Sequence, residues 1–203
     1  MSSMPVQIIQ QNEQEAFDAW FDERLEMKLT EREKAKVPSL TIIATKGNLD
    51  MAYPPFVLGS AAAAMGWDVT ILCAFYGLGL LKKKLDLKIT PLGNPAMPMK
   101  SPYGPKWFRN MEIPAPNILM SNMPGFEKFA TGMMKKGFER TGVASIEDLR
   151  EASIEAGVKL VACPMTMDLF GWKQEDMIPE ISDWLGAGAV LPMAQKSDVT
   201  LFV

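Results

Sequence analysis

Cys163 is the residue in this sequence best placed to do chemistry, within the stretch KLVACPMTMD at residues 159–168. The apolar residues before it predict a short buried strand, and Pro164 is a residue type favoured at the first position of a helix. Cys163 would then be the N-cap of that helix, where unpaired N–H groups and the positive end of the helix dipole stabilise an anion. The pattern therefore favours a reactive thiolate, which is the nucleophilic form of cysteine.

The sequence contains one further cysteine, Cys73, and no histidine. Cys73 lies near the end of another predicted strand, between Leu72 and Ala74, which favours a core position and leaves an accessory thiol as the alternative. An inert, apolar thiol is likewise the alternative for Cys163. The absence of histidine excludes Ser-His-Asp and Cys-His catalysis. With only two cysteines, it also argues against a structural zinc site.

Three segments are expected to meet at one edge of a parallel sheet. Ser39–Thr45 predicts a first buried strand, a helix of small residues follows between Pro54 and Gly66, and Asp68–Phe75 predicts a second strand. Strand, helix and strand at this spacing predict a βαβ unit. Because ligands bind outside the carboxyl ends of parallel strands, we expect the turn Lys46–Asp50 and both cysteines to reach the same edge.

The N-terminal segment predicts an arm. Residues 1–12 predict a loose leader, and the chain from about Asn12 to Lys36 predicts an amphipathic helix that Pro38 ends. Its apolar stripe has residues at steps of three and four: Phe17, Trp20, Phe21, Leu25 and Leu29. The stripe can pack on the protein's own domain or on a neighbouring subunit, and the sequence leaves both open.

The remainder of the chain predicts shorter elements around an irregular stretch. The predicted elements are helices at Tyr76–Lys84, Phe126–Lys136, Ser145–Ala156 with an N-terminal capping box of Ser145 and Asp148, Pro164–Phe170 closed by Gly171, and one within Ser182–Lys196, with strands at Val158–Ala162 and Thr200–Val203. Residues 91–125 are rich in methionine, proline and glycine, which is typical of a functional loop or an interface. We therefore divide the chain into a leader and helix at 1–37 and one α/β domain at 38–203, with a Met/Pro/Gly-rich insertion at about 91–137.

Composition excludes several classes of protein. A net charge of −3 over 203 residues gives no basic surface for nucleic acid. There is no apolar run of about 18 residues, so no transmembrane segment is expected, and the first residues do not form a secretion signal. Two cysteines 90 residues apart do not make a disulfide framework. A cytoplasmic protein with free thiols is the simplest expectation.

The sequence contains no motif that is typical of a nucleotide or metal cofactor. The turn KGNLD after the first strand has no GxGxxG fingerprint, Gly77-Leu78-Gly79 lacks the third glycine, and no P-loop is present. The 16 methionines would offer soft thioether ligands for Cu(I), but their spacing shows no ligand set. We therefore expect no cofactor and no metal.

The sequence resembles the DsrE/DsrF-like family, in particular its larger members found with sulfur-oxidation genes and often labelled "peroxiredoxin family protein". The resemblance covers most of residues 39–203 and lies in ATKGNLDMAYPPFVLGSAAAAMGWDVTILCAFYGLGLLKK (44–83), GNPAMPM (93–99), VKLVACPMTMDLFGW (158–172) and KSDVTLFV (196–203). It implies a Rossmann-like or flavodoxin-like α/β domain with a mostly parallel sheet. It also implies a homo-oligomer, trimeric or hexameric, with TusA-like or rhodanese-like sulfur-relay proteins as donors and acceptors.

The resemblance implies a role for Cys163. In the sulfur-relay subunits of the family, the acceptor cysteine follows a strand and precedes a glycine eight residues later, and here Gly171 lies eight residues after Cys163. The Cys163 thiolate would attack the outer sulfur of a donor persulfide or thiosulfonate, and an acceptor thiol would then take the group. Lys46 and Asn48 would help to hold a sulfonate. The protein would be a sulfurtransferase-like carrier, stoichiometric rather than catalytic.

Two other classes of function stay open. A binding or assembly module without turnover would have an inert Cys163 and a Met-rich partner surface at residues 91–125. A flavin- or nucleotide-dependent oxidoreductase would show a bound chromophore after purification.

Overall fold

A computed structural model describes residues 4–90, 99–100, 104–110, 112–113 and 123–203; for residues 4–13, 99–100 and 112–113 it describes the backbone alone. The contacts divide the chain into two compact units, Met1–Val37 and Pro38–Val203. The first contains helix α1 (Met4–Ala35). The loose leader predicted for residues 1–12 is therefore wrong from Met4 onward, because the methionine and the three glutamines of this segment favour a helix and Pro5 fits its first turn.

The second unit is built on a five-stranded parallel sheet. Its strands are β1 (Ser39–Ala44), β2 (Asp68–Cys73), β5 (Lys159–Ala162), β6 (Ile181–Trp184) and β7 (Val199–Phe202), in the order β6-β5-β2-β1-β7. Every neighbouring pair in this sheet is parallel. Two short strands, β3 (Met99–Lys100) and β4 (Glu112–Ile113), form a separate antiparallel pair. The predicted α/β class with a parallel sheet is confirmed.

Helices connect and cover these strands. They are α2 (Tyr53–Ala64), α3 (Lys106–Arg109), α4 (Phe126–Thr141), α5 (Ile146–Glu155), α6 (Pro164–Phe170) and α7 (Ala187–Lys196), with 3₁₀ helices at Phe75–Leu81 and Gln174–Asp176. The helix predicted at Tyr76–Lys84 is the first of these 3₁₀ helices, and the helix predicted to end at Lys136 continues to Thr141. Strand β6 was not predicted from the sequence. Ser182 and Asp183 in its centre are exposed, and a polar edge strand has no apolar run by which it could be recognised.

Local signals explain how two helices begin. Ser145 Oγ accepts the Asp148 N–H at 3.1 Å, and the Asp148 carboxylate accepts the Ser145 N–H at 3.2 Å, which confirms the predicted capping box of α5. Helix α2 begins without such a cap, because its N-cap is Ala52 and no side-chain hydrogen bond caps it. The Asp50 carboxylate accepts the N–H of Thr90 instead, at 3.2 Å.

The core lies mainly on one face of the sheet. Alternating residues of the three central strands pack there against α2 and α5; among them are Leu40, Ile42, Phe56, Ile71, Cys73, Ile146, Leu160 and Ala162. A smaller cluster of Leu72, Val161 and Val190 lies on the other face, as the two-residue period of strands requires. Within the described part of the chain, no helix has the length and apolar character needed to span a membrane.

Candidate functional site

The three central strands end at one level of the sheet. Ala44 at the end of β1 pairs with Cys73 at the end of β2, and Cys73 pairs with Ala162 at the end of β5. Backbone hydrogen bonds continue past the strands, since the Ala74 N–H donates to Ala44 O at 3.0 Å and the Cys163 N–H donates to Cys73 O at 3.2 Å. The segments after these strands therefore leave the sheet at the same carboxyl edge, as the βαβ pattern predicted.

Cys163 is the N-cap of α6, which confirms its predicted place. Its backbone is extended (φ −89°, ψ 112°), Pro164 follows as the first helical residue, and no side-chain hydrogen bond caps the helix. Gly171 ends the helix with a left-handed φ of 64°, which glycine adopts without a steric penalty. Cys163 is 7% exposed, and helix geometry directs the first-turn N–H groups toward its position.

Cys73 lies in a different environment. It is the last residue of β2 rather than two residues before its end, and it is fully buried in the main core. Burial raises the pKa of the Cys73 thiol to about 12, although the positive charge of Arg150 opposes this. The Arg150 guanidinium is held by the carbonyl oxygens of Leu80 and Lys82, each at 2.8 Å. Cys73 is therefore a neutral thiol at physiological pH.

The side chains of the two cysteines point to opposite faces of the sheet. Cys73 shares its face with its pairing partner Ala162, and both belong to the main core. Cys163 follows Ala162 in extended conformation, so its side chain points to the other side. Both cysteines are free thiols, and this arrangement does not bring them together as a disulfide pair.

The turn after β2 is tied to α6. Phe75 is the one described residue other than glycine with a positive φ, 48°, and its N–H donates to Thr166 Oγ1 at 3.0 Å. Thr166 is fully buried on α6, three residues after Cys163. Neither residue is recognisable from the sequence, because no pattern links two positions 91 residues apart. The hydroxyl of Thr166 thus joins the segments that follow β2 and β5.

The loop after β1 packs closely against the same turn. A Cβ on Gly47 would overlap the carbonyl oxygen of Tyr76, and a Cβ on Gly77 would overlap that of Ala44. Only glycine permits this approach of two backbones. The ring of Tyr76 in turn lies 5.6 Å from that of Phe170 at the end of α6.

The predicted substrate residues Lys46 and Asn48 both lie in the loop between β1 and α2. Lys46 is exposed. Asn48 lines an open cleft of about 330 Å³, together with Gly47, Asp86, Lys88, Ile89 and Glu127. In this cleft Lys88 Nζ lies 3.6 Å from the Glu127 carboxylate. Neither cysteine is among its described lining residues, and a role of Asn48 in holding a sulfonate stays a prediction.

The described residues include no group of three or more histidine, cysteine, aspartate or glutamate side chains that could hold a metal ion.

Residues 36–202 match the DsrE/DsrF/DrsH-like family, a segment that contains the whole parallel sheet and both cysteines. The chain belongs to this family. It is 48% identical, over 165 residues, to a protein of Allochromatium vinosum named sulfur carrier protein DsrE2, and the match covers 81% of this chain and 97% of that protein. It is 30% identical over 163 residues to an uncharacterized protein of Bacillus subtilis named YrkE, covering 80% and 95% of the two chains.

Family membership confirms the resemblance read from the sequence. The matched segment begins after α1, so this helix is an addition to the family domain in this chain. Most of the Met/Pro/Gly-rich stretch at residues 91–125, including the GNPAMPM motif up to residue 98, lies outside the described residues.

Proposed function

We propose that this protein is a sulfur carrier that accepts sulfane sulfur or thiosulfonate on Cys163 and passes it to an acceptor thiol. The observation that carries the proposal is the position of Cys163, one residue past β5 at the carboxyl edge of the parallel sheet. Support also comes from the 48% identity to a protein named as a sulfur carrier.

The contrast between the two thiols favours Cys163 as the acceptor. A thiol must be ionised to attack sulfur, and the pKa of Cys73 is raised to about 12 by burial. Cys163 instead occupies a helix N-cap without a side-chain cap, where the first-turn N–H groups of Met165 and Thr166 would stabilise negative charge. Cys73 then contributes to the core and takes no part in transfer.

The transfer is a pair of displacements at sulfur. The Cys163 thiolate attacks the outer sulfur of a donor persulfide R–S–SH, the S–S bond of the donor breaks, and R–S⁻ leaves. With a donor that carries a sulfonate, the same displacement leaves –S–SO₃⁻ on Cys163. Attack by an acceptor thiolate on the sulfur atom bonded to Cys163 Sγ breaks the Sγ–S bond, transfers that sulfur as –SH or –S–SO₃⁻, and restores the Cys163 thiolate. Each step breaks one bond to sulfur and forms another, so no oxidant or reductant is needed and histidine is not required.

A sulfonate donor would also meet a positive charge at this edge. Lys46 is exposed and precedes Gly47, whose backbone packs against the turn after β2. We assign Lys46 to the attraction of anionic donors. Asn48, which lines the cleft with Lys88 and Glu127, would act on a donor only if the donor extends into that cleft.

Intact-protein mass spectrometry tests the proposal. The wild type, Cys163→Ser and Cys73→Ser are incubated with a polysulfide or with tetrathionate, and their masses are compared. We expect a gain of one sulfur atom or one thiosulfonate group on the wild type and on Cys73→Ser, and none on Cys163→Ser. Loss of the adduct in both variants would make Cys73 an accessory thiol. An unmodified wild type, with both thiols shown to be free after denaturation, would contradict the carrier function and favour a binding module.

A further inference from the structure

Helix α1 presents an exposed apolar face outside the segment that matches the family. Five large side chains of this face are each exposed over 44–56% of their surface: Phe17, Trp20, Phe21, Leu25 and Leu29. The ring of Phe17 lies 5.9 Å from that of Trp20 and 6.4 Å from that of Phe21, so the aromatic residues form one continuous patch. Exposed apolar patches of this kind mark interaction surfaces.

The charges along the arm divide it into two halves. Residues 13–26 contain six carboxylates and one arginine, for a net charge of −5, whereas residues 27–36 contain four basic side chains and two glutamates, for a net charge of +2. Two such helices side by side in parallel would place acidic half against acidic half. In an antiparallel pair, each acidic half would lie against the basic half of the other helix, and the electrostatic energy would be favourable.

We propose that α1 pairs with α1 of a second copy of this chain in antiparallel orientation. The patch runs from Phe17 to Leu29, with its midpoint at Glu23, so a two-fold axis at that level would place each patch against itself. Phe17 would then lie near Leu29 of the second copy, and Phe21 near Leu25 of the second copy. Such an interface is isologous, with the same surface on both subunits, and the closed pair leaves neither apolar face exposed.

Sedimentation velocity on the full chain tests the pairing. We expect Phe21→Asp, which places a charge in the centre of the patch, to halve the mass of the assembly. Ala19→Asp is the matched control, since it adds the same charge to the opposite side of the helix and should leave the mass unchanged. Circular dichroism checks that both variants keep their helix content. A monomeric wild type, or an assembly with the same mass in Phe21→Asp, would overturn the proposal and assign the patch to packing on its own domain.

Salt distinguishes the two orientations. The antiparallel pair is stabilised partly by attraction between halves of opposite charge. The dissociation constant of the α1–α1 interface should therefore rise about tenfold between 50 mM and 500 mM salt. A parallel pair would instead become tighter in salt, as repulsion between like halves is screened, and that result would overturn the orientation.

Charge-reversed arms give an independent check. An arm that is acidic in both halves (Lys28→Glu, Arg32→Glu, Lys34→Glu; net charge −9 over residues 13–36) and an arm that is basic in both halves (Asp18→Lys, Asp22→Lys, Glu26→Lys; net charge +3) should each pair with itself more weakly than the wild type does. An equimolar mixture should restore the mass of the wild type. Self-pairing of either variant at the strength of the wild type would contradict the charge argument. None of these substitutions lies near Cys163 in the sequence, and the loading of sulfur is tested separately.

Discussion

The two cysteines lie at the ends of hydrogen-bonded neighbouring strands and both are buried, yet their surroundings differ. Cys73 is the last residue of β2, whereas Cys163 is the first residue past β5, and the N–H of Cys163 donates to the carbonyl of Cys73 at 3.2 Å. Within the strand, the thiol packs into the main core and burial raises its pKa to about 12. Past the strand, the thiol occupies a helix N-cap. A difference of one residue at the end of a strand thus separates a structural thiol from a candidate nucleophile.

The largest change in the free energy of unfolding is expected where the turn after β2 packs closely against the end of β1. In Gly77→Ala the new Cβ would overlap the carbonyl oxygen of Ala44, so the turn must move, at a cost of about 3 kcal/mol in the free energy of unfolding. The same movement should make Cys73 reactive toward maleimide in the native state. Gly132→Ala, with no atom within 4 Å of its added Cβ, is the control and should stabilise α4 by up to about 1 kcal/mol. A Gly77→Ala protein as stable as the wild type would show that this close approach does not constrain the turn.

The second prediction uses pH to measure the burial of Cys73. Its pKa is raised from 9.0 to about 12 on folding, so the folded state binds the proton more tightly than the unfolded state. The resulting stability is complete below pH 9 and is lost as the pH rises toward 12. Relative to Cys73→Ala, the wild type should lose about 2 kcal/mol of unfolding free energy between pH 8 and pH 10.5. Parallel pH curves in urea denaturation would contradict the burial of this thiol.

The third prediction concerns the link between the turn and α6. Thr166→Val keeps the shape of the side chain but removes the oxygen that accepts the Phe75 N–H. The unfolding free energy should fall by about 1–2 kcal/mol, since a backbone donor loses its partner, and the rate of Cys163 alkylation should change with it. Thr30→Val, at an exposed position of α1, is the control for the loss of a hydroxyl. Equal stability in the two variants would show that the hydrogen bond from Phe75 to Thr166 does not stabilise the fold.

The smallest effect is expected from the exposed charge at Lys46. Lys46→Ala should slow modification of Cys163 by the tetrathionate dianion roughly two- to fivefold, as an exposed charge contributes little. Alkylation by neutral iodoacetamide should be unchanged, and high salt should remove the difference. Lys135→Ala, an exposed lysine of α4, is the control. An equal loss with both reagents would mean that Lys46 shapes the site rather than attracting anions.

Local patterns in the sequence predicted the position of Cys163 well. An apolar run followed by a cysteine and a proline was sufficient to place Cys163 at the N-cap of α6, and Ser145 with Asp148 predicted the capping box of α5. These signals act over a few residues, so the sequence carries them in full.

The position of Cys73, the turn after β2 and strand β6 depend on contacts between segments that are distant in the sequence. The exact end of β2 at Cys73 is determined by its pairing with β1 and β5, and the positive φ of Phe75 is held by Thr166 from another helix. The edge strand β6 has too few apolar residues to be recognised. None of these three features has a periodicity, so the sequence could not have predicted them without the sheet.

Cyanolysis of the loaded protein shows directly whether Cys163 carries sulfane sulfur, because cyanide releases sulfane sulfur as free thiocyanate, whereas an ordinary disulfide releases none. Wild type, Cys163→Ser and Cys73→Ser would be loaded with polysulfide, freed of excess reagent and treated with cyanide. We expect one thiocyanate per chain from the wild type and from Cys73→Ser, and none from Cys163→Ser. Thiocyanate released from Cys163→Ser at the level of the wild type would contradict Cys163 as the carrier of sulfur.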